Sequence, residues 1–305
     1  MKTYVIGHLK PDTDSVVAAM ALASLYGFEA AVTGPLNPET TFLMDKFGLS
    51  APKMITANDL TSDDQVILVD HNEESQRLEG LNPGQIIEIV DHHKANFNFE
   101  QPINLTFKTW GSSNSIIFFM MKEAGFIPEV KLASLMLAAI LSDTVGFKSV
   151  TCTPKDKELA LELAAIAQIT DIDAFSLEIF KAKSDVSKLS PEEIVKNDYK
   201  VFDFAGHKVM IDQLETVEQD KVLTDKKAEL LTAMDRVKTE LGADMIFVAI
   251  TDILKVNTKL LILNDEAAAV AVKAFGGTVV EQVLDIGERL SRKKEIAPPI
   301  ERAVS

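Results

Sequence analysis

Four short apolar runs open the chain, and each is stopped by a polar turn. They are Tyr4-Val5-Ile6, residues 29–33, residues 65–70 and residues 85–90. Continuous apolar runs of this length predict strands buried on both faces of a parallel sheet. Residues 16–25, rich in Ala, Val, Leu and Met, predict a helix, and residues 39–47 predict another, closed by Gly48. The order is β-α-β-α, which predicts a parallel sheet with helices on both faces. A further strand is expected over 103–108. Helical spacing follows over 114–123, 130–141, 154–168 and 173–182.

The pattern changes beyond residue 183. Ser184-Asp185-Val186-Ser187-Lys188-Leu189-Ser190 is polar and low in aromatics, and Ser190-Pro191-Glu192-Glu193 is a helix-start signal. The expected division is therefore a first domain over 1–183, a linker over 184–193 and a second domain over 194–305. In the second domain, residues 199–204 and 208–211 alternate around Gly206 as a hairpin would. A long charged helix is expected over 216–241, with strands over 244–251 and 259–263 and a helix over 266–275. The fold class expected is α/β: an N-terminal parallel-sheet domain and a smaller C-terminal α/β domain with a mixed sheet.

Composition narrows the function classes. The 305 residues are 47% hydrophobic, enough to fill real cores, and carry a net charge of -15. Such a charge argues against nucleic acid as a partner, because phosphate backbones call for clustered Lys and Arg. The single cysteine, Cys152, leaves no disulfide framework and no thiolate metal site, so a reducing, cytoplasmic setting is expected. The longest apolar stretch, 132–141, is about half of a membrane span, and the opening run is too short for a signal peptide. No membrane partner is expected.

The candidate chemistry gathers where the strands end. His8-Leu9-Lys10-Pro11-Asp12-Thr13-Asp14-Ser15 joins the first strand to the first helix, and Pro11 keeps the residues before it out of helix. Carboxylates are favoured at the coming helix N-terminus. The third run ends on Asp70-His71-Asn72, the fourth on Asp91-His92-His93, and the helix over 130–141 on Ser142-Asp143-Thr144. Ligands bind at the carboxyl ends of parallel strands, so His8, Asp70 and His92 are expected to meet in one crevice. Carboxylates and imidazoles set so close call for a cation among them. Without sulfur the site suits Mn²⁺, Co²⁺, Zn²⁺ or Mg²⁺. Five carboxylates (Asp12, Asp14, Asp70, Asp91 and Asp143) exceed the needs of one ion, whereas two ions about 3.5–4 Å apart would absorb that charge. Asp91 could instead hold an imidazole in one tautomer.

One cationic stretch stands out in an acidic chain: Ser291-Arg292-Lys293-Lys294-Glu295. It reads either as a solvated helix end or as an anion clamp, with Arg292 gripping phosphate oxygens in pairs and Lys293 acting as a point charge. Lys200 is a further candidate cation.

Taken in order, these motifs resemble the family II, manganese-dependent inorganic pyrophosphatases of the DHH phosphoesterase superfamily. The resemblance spans the whole chain and rests on Gly7-His8 with Pro11-Asp12-Thr13-Asp14-Ser15, Asp70-His71-Asn72, Asp91-His92-His93, Ser142-Asp143-Thr144 and Ser291-Arg292-Lys293-Lys294. Lys10 stands where the family often has Asn, at a position that is not a ligand in the family pattern. The resemblance implies a DHH metal-binding domain, a DHHA2-type substrate-binding domain, an active site in the cleft between them, and a homodimer through the N-terminal domain. It implies two Mn²⁺ ions (Co²⁺ or Mg²⁺ being possible), with more Mg²⁺ or Mn²⁺ arriving with substrate. His8, Asp12 and Asp70 would hold one ion, and Asp14, Asp70, His92 and Asp143 the other, with Asp70 bridging. His93, Lys200, Arg292 and Lys293 would hold the phosphates. The implied reaction is hydrolysis of pyrophosphate to two phosphates by a bridging hydroxide. The alternative is a DHH phosphodiesterase acting on short oligonucleotides or cyclic dinucleotides. Those relatives carry a Gly-Gly-Gly-His stretch, whereas here Gly276-Gly277 is followed by Thr278 and no histidine follows His207.

Overall fold

The computed structural model describes residues 1–186 and 189–304. They form two compact units, Met1–Lys183 and Ser184–Ser305. Of the expected linker, Ser187 and Lys188 lie outside the described residues.

The first unit is built on six strands: β1 (Thr3–Ile6), β2 (Glu29–Val32), β3 (Lys53–Met54), β4 (Gln65–Val69), β5 (Ile86–Asp91) and β6 (Asn104–Phe107). All are parallel, in the order β3-β2-β1-β4-β5-β6. The order reverses between β1 and β4, so the switch point lies there. Ile6 pairs with Leu68, and Val69 with Val90. This register sets His8, Asp70 and Asp91 level with one another at the carboxyl ends.

The helices do not cover both faces as expected. α1 (Thr13–Tyr26), α2 (Pro38–Phe47), α3 (Ser113–Glu123), α4 (Val130–Asp143), α5 (Pro154–Ala167) and α6 (Ile172–Lys183) pack on one side, against Val5, Val32, Ile67, Val69 and Val90. The other side, with Tyr4, Ile6, Val66, Leu68 and Ile89, is covered by Ile55, Leu78 and loop residues such as Leu81, Phe97 and Phe99. The reason is local. Residues 70–85, between β4 and β5, contain Gly80, Asn82, Pro83 and Gly84, and among the described residues they form only 3₁₀ turns at Glu74–Gln76 and Pro83–Gln85. Continuous apolar strands are still required, because both faces remain buried.

The second unit contains α7 (Pro191–Val195), β7 (Tyr199–Phe204), β8 (His207–Thr216), α8 (Gln219–Asp225), α9 (Lys227–Leu241), β9 (Met245–Asp252), β10 (Asn257–Ile262), α10 (Asp265–Phe275), β11 (Val283–Gly287) and α11 (Ala297–Val304). The sheet runs β11-β10-β9-β8-β7 and is mixed, with only β8 and β9 parallel. The β7–β8 hairpin turns on Ala205 and Gly206, both at positive φ (53° and 86°), the backbone of a two-residue primed turn. Here helices do cover both faces: α7, α8 and α9 one, α10 and α11 the other.

Two expectations are corrected in this unit. The single helix over 216–241 is instead the end of β8 followed by α8 and α9, which meet at Lys226. A tertiary tie sets the start of α8: the Gln219 amide donates to the Ile250 carbonyl at 2.6 Å and to the Asn257 carbonyl at 3.1 Å. The basic stretch at 291–295 is a helix beginning rather than a helix end. Ser291 caps a π-helical turn, Arg292–Ile296, that runs into α11.

Candidate metal centre

The loop after β1 is shaped by close approach. A Cβ on Gly7 would lie 1.8 Å from Ser15 Oγ, and that hydroxyl accepts the His8 backbone N–H at 3.1 Å. Asp12 is the N-cap of α1, its carboxylate accepting from Ser15 N at 2.9 Å. Asp14 follows in the first turn of α1 and is buried. Asp70 leaves β4 in a left-handed conformation, φ 61°, which Asp tolerates better than most side chains. Asp91 ends β5, His92 follows it, and Asp143 is the last residue of α4.

These side chains form two clusters that share Asp70. One is His8, Asp12 and Asp70; the other is Asp14, Asp70, His92 and Asp143; His93 also lies close enough to Asp70 and His92 to form a further ligand group with them. His8 Nε2 lies 3.6 Å from both Asp12 Oδ1 and Asp70 Oδ2. His92 Nε2 lies 3.3 Å from Asp70 Oδ1, 3.6 Å from Asp143 Oδ2 and 4.0 Å from Asp14 Oδ2. A cavity of about 270 Å³ opens on His8, Asp12, Asp70, His93 and Asp143.

The electrostatics show what the clusters lack. His92 Nδ1 lies 3.0 Å from the Trp110 carbonyl, which can only accept, so Nδ1 carries the proton. Its Nε2 is buried, faces three carboxylates and has no hydrogen-bond partner among the described residues. In the absence of a cation, only a second proton relieves that arrangement. Burial would lower the pKa of both imidazoles, but the carboxylates overcome it: Asp12 and Asp70 push His8 up to about 10, and Asp70, Asp14 and Asp143 push His92 up to about 10. Asp14 is pushed up to about 7 by burial and by Asp70. Burial, Asp14 and Asp70 likewise raise Asp143. Burial opposes the Asp70 carboxylate as well, yet His8 and His92 hold it well below the ordinary range. Crowded carboxylates with an imidazole lone pair aimed among them, and no sulfur, fit divalent cations of the Mn²⁺, Co²⁺ or Mg²⁺ kind.

The residues behind the clusters went unassigned in the sequence. Ser112-Ser113-Asn114, at the start of α3, is fully buried. Ser113 N and Asn114 Nδ2 donate to the Asp14 carboxylate at 2.7 and 2.8 Å, and Ser112 Oγ donates to it as well. Ser113 Oγ donates to Asp70 Oδ1 at 2.9 Å. An anion beside two helix N-termini gains from both dipoles. The available signal was a run of small polar residues directly before an apolar helix. Glu39, also buried, accepts from Thr13 Oγ1 at 2.5 Å and so braces the residue between Asp12 and Asp14.

Other candidates sort as follows. Asp91 Oδ1 accepts from the His92 and His93 backbone N–H groups and lies 2.9 Å from His93 Nδ1. The imidazole it orients is therefore that of His93. This hydrogen bond raises the His93 pKa. His71 is in neither cluster: its Nδ1 lies 2.9 Å from the Val69 carbonyl, and burial pushes it down to about 4. In the second unit Lys200, on β7, and Lys293 are exposed. Arg292 is only 8% exposed and pairs with Asp198, at 3.0 Å from Nη1 and 3.1 Å from Nη2.

Comparison with known proteins bears on the whole chain. Residues 2–140 match the DHH family, N-terminal domain, and residues 177–303 match the DHHA2 domain. The chain is 41% identical over 308 residues to the manganese-dependent inorganic pyrophosphatase of Methanocaldococcus jannaschii, covering 98% of each. The chain belongs to the manganese-dependent inorganic pyrophosphatases of the DHH/DHHA2 family. The Bacillus subtilis member is 36% identical over 312 residues, with 100% of this chain and 99% of that protein covered. Among solved structures, the Methanococcus jannaschii protein described as a family II inorganic pyrophosphatase aligns with a TM-score of 0.65 at 39% identity, covering 99% of both chains. An exopolyphosphatase-related protein from Bacteroides fragilis, 15% identical with a TM-score of 0.52 and covering 99% of this chain and 91% of that one, shares the fold. No helix among the described residues is long and apolar enough to cross a membrane.

Proposed function

We propose that this chain hydrolyses inorganic pyrophosphate to two phosphates with two Mn²⁺ ions. The observation that carries the reading is the pair of ligand clusters sharing Asp70 in a chain that aligns with 98% of a member of this family. His8, Asp12 and Asp70 would hold one ion, and Asp14, Asp70, His92 and Asp143 the other. Such a pair, when bound, supplies Lewis acidity toward a phosphoryl oxygen and lowers the pKa of a water.

The rest falls to the protein's own side chains. Ser112, Ser113 and Asn114 hold Asp14 and Asp70 in place, and the Trp110 carbonyl fixes His92 in the tautomer that leaves Nε2 free. Asp91 orients His93 through Nδ1 and raises its pKa; protonated, His93 donates from Nε2 to a phosphate oxygen, and neutral, it only positions the phosphate. Arg292, Lys293 and Lys200 neutralise charge spreading over the phosphate oxygens. These cations belong to the second unit and the proposed metal ligands to the first. The enzyme is read as cytoplasmic, in keeping with a single cysteine, and as a homodimer through the N-terminal domain, which sedimentation would check.

The test is phosphate release from pyrophosphate by the purified protein with Mn²⁺. Asp70→Asn and Lys293→Ala should each lose most of the activity. Full activity in both would overturn the reading.

A further inference from the structure

One face of the second sheet is apolar along most of its length and polar at one end. Val209, Ile211, Phe247, Ala249, Leu260 and Ile262 form the apolar part. Continuing on the same face, β8 presents Gln213, β9 Thr251 and β10 Thr258. Thr251 pairs directly with Thr258, and Gln213 stands opposite Ala249, diagonal to Thr251. All three are buried.

The hydrogen bonds of this row run to one short segment. Gln213 Nε2 donates to the Leu290 carbonyl at 2.9 Å and to Thr251 Oγ1 at 3.0 Å, and Gln213 Oε1 accepts the Arg292 backbone N–H at 3.0 Å. Thr251 and Thr258 hydroxyls lie 2.9 Å apart, and Thr258 donates to the Arg289 carbonyl. The directions are forced. Carbonyls only accept and the Arg292 N–H only donates, so the Gln213 amide cannot be flipped. Thr258 spends its proton on Arg289, which leaves Thr251 to donate to Thr258 and accept from Gln213. The row thus holds residues 289, 290 and 292 by their backbones, immediately before Lys293.

Gln213 also reaches the partner of Arg292. Its own backbone N–H donates to the Asp198 carbonyl at 3.2 Å, and the Asp198 carboxylate pairs with the Arg292 guanidinium. One residue therefore anchors both ends of that ion pair, its main chain holding Asp198 and its side chain holding Arg292. A strand residue with only a packing role would have no need of an amide aimed at this segment.

We propose that Gln213 is a positioning residue for the reaction. With Thr251 and Thr258 it fixes the backbone from which Arg292 and Lys293 reach the phosphates of the substrate. This rests on the phosphate-binding role assigned to those two cations under the proposed function.

The experiment compares Gln213→Leu, Arg292→Ala/Lys293→Ala and the triple variant. Gln213→Leu removes the side-chain hydrogen bonds at similar volume and keeps the backbone N–H for Asp198. Its kcat/KM for pyrophosphate should fall about 10- to 100-fold, the scale of a small misplacement of a binding group. Its Mn²⁺ affinity should be unchanged, because the ligands lie in the other unit. Adding Gln213→Leu to the Arg292→Ala/Lys293→Ala background should cost less than about threefold, since a residue acting through absent cations has nothing left to position. Thr258→Val, which removes the bond to Arg289 and the acceptor of Thr251 but leaves those of Gln213 to Leu290 and Arg292, should shift kcat/KM in the same direction by less, and it decides the matter if Gln213→Leu does not fold. Wild-type kinetics in Gln213→Leu or, failing that, in Thr258→Val, with activity lost in Arg292→Ala/Lys293→Ala, would overturn the positioning role alone. So would a full multiplicative loss in the triple variant. Full activity in Arg292→Ala/Lys293→Ala would overturn both this role and the phosphate-binding role beneath it.

Discussion

Ser113→Ala separates two functions of one buried residue. The Ser113 backbone N–H donates to Asp14 Oδ2 at 2.7 Å and survives the substitution. The hydroxyl donates to Asp70 Oδ1 at 2.9 Å and does not. The helix cap is untouched, because Ser112 supplies it. A buried hydrogen bond to a carboxylate contributes about 1.5–3 kcal/mol, which converts to about 10- to 150-fold in a binding constant. Asp70 belongs to both clusters, so both metal sites should weaken together. The assay is calorimetric titration of metal-free wild type and Ser113→Ala with Mn²⁺, with far-ultraviolet circular dichroism confirming the fold. Superimposable isotherms would show that Asp70 does not depend on Ser113, and the account of how the shared carboxylate is held would fail.

Two further outcomes follow from packing and from charge. A Cβ on Gly111 would lie 2.7 Å from Thr144 Cγ2 and 3.2 Å from Asp156 Oδ2, so Gly111→Ala must displace either those side chains or the loop whose Trp110 carbonyl orients His92. It should destabilise the fold by about 1–3 kcal/mol and weaken Mn²⁺ binding, and a wild-type melting temperature together with wild-type affinity would contradict this. Asp212 is fully buried, and burial pushes its pKa from an ordinary 3.8 up to about 7. The unfolded chain therefore gives up this proton more readily than the folded one, so stability drops as pH rises from about 4 to about 7 and is level above. Asp212→Asn, which keeps an acceptor for the Asp198 N–H, should slow hydrogen exchange at the β8 amides at pH 8 but not at pH 4. Equal exchange in both proteins at pH 8 would refute the assignment.

Much of the metal centre was legible because the strands are short and uninterrupted. A run such as Gln65–Val69 announces where a strand stops, and a parallel sheet sends every such end to one edge. His8, Asp70 and His92 could therefore be grouped across 85 positions of chain with no contact in view, while Asp143, at a helix end, was joined to them by its charge and by the family resemblance. The supporting residues could not. Ser112, Ser113 and Asn114 look like an ordinary helix start, and the Trp110 carbonyl is a backbone atom that no side-chain pattern marks. Nor does the charge of Arg292 reveal that it is buried against Asp198, 94 residues away.

The local alphabet of the chain thus determined its elements, its two-part organisation and the chemistry available at its strand ends. These follow from periodicity and residue type, which act over a few residues. Tertiary structure alone decided that the helices of the first unit share one face, that residues 216–241 break into a strand end and two helices, and that Gln213 faces the 289–292 segment. Those outcomes depend on which distant groups meet, and a hydrogen bond or a packed face is shared between partners that sequence proximity does not identify.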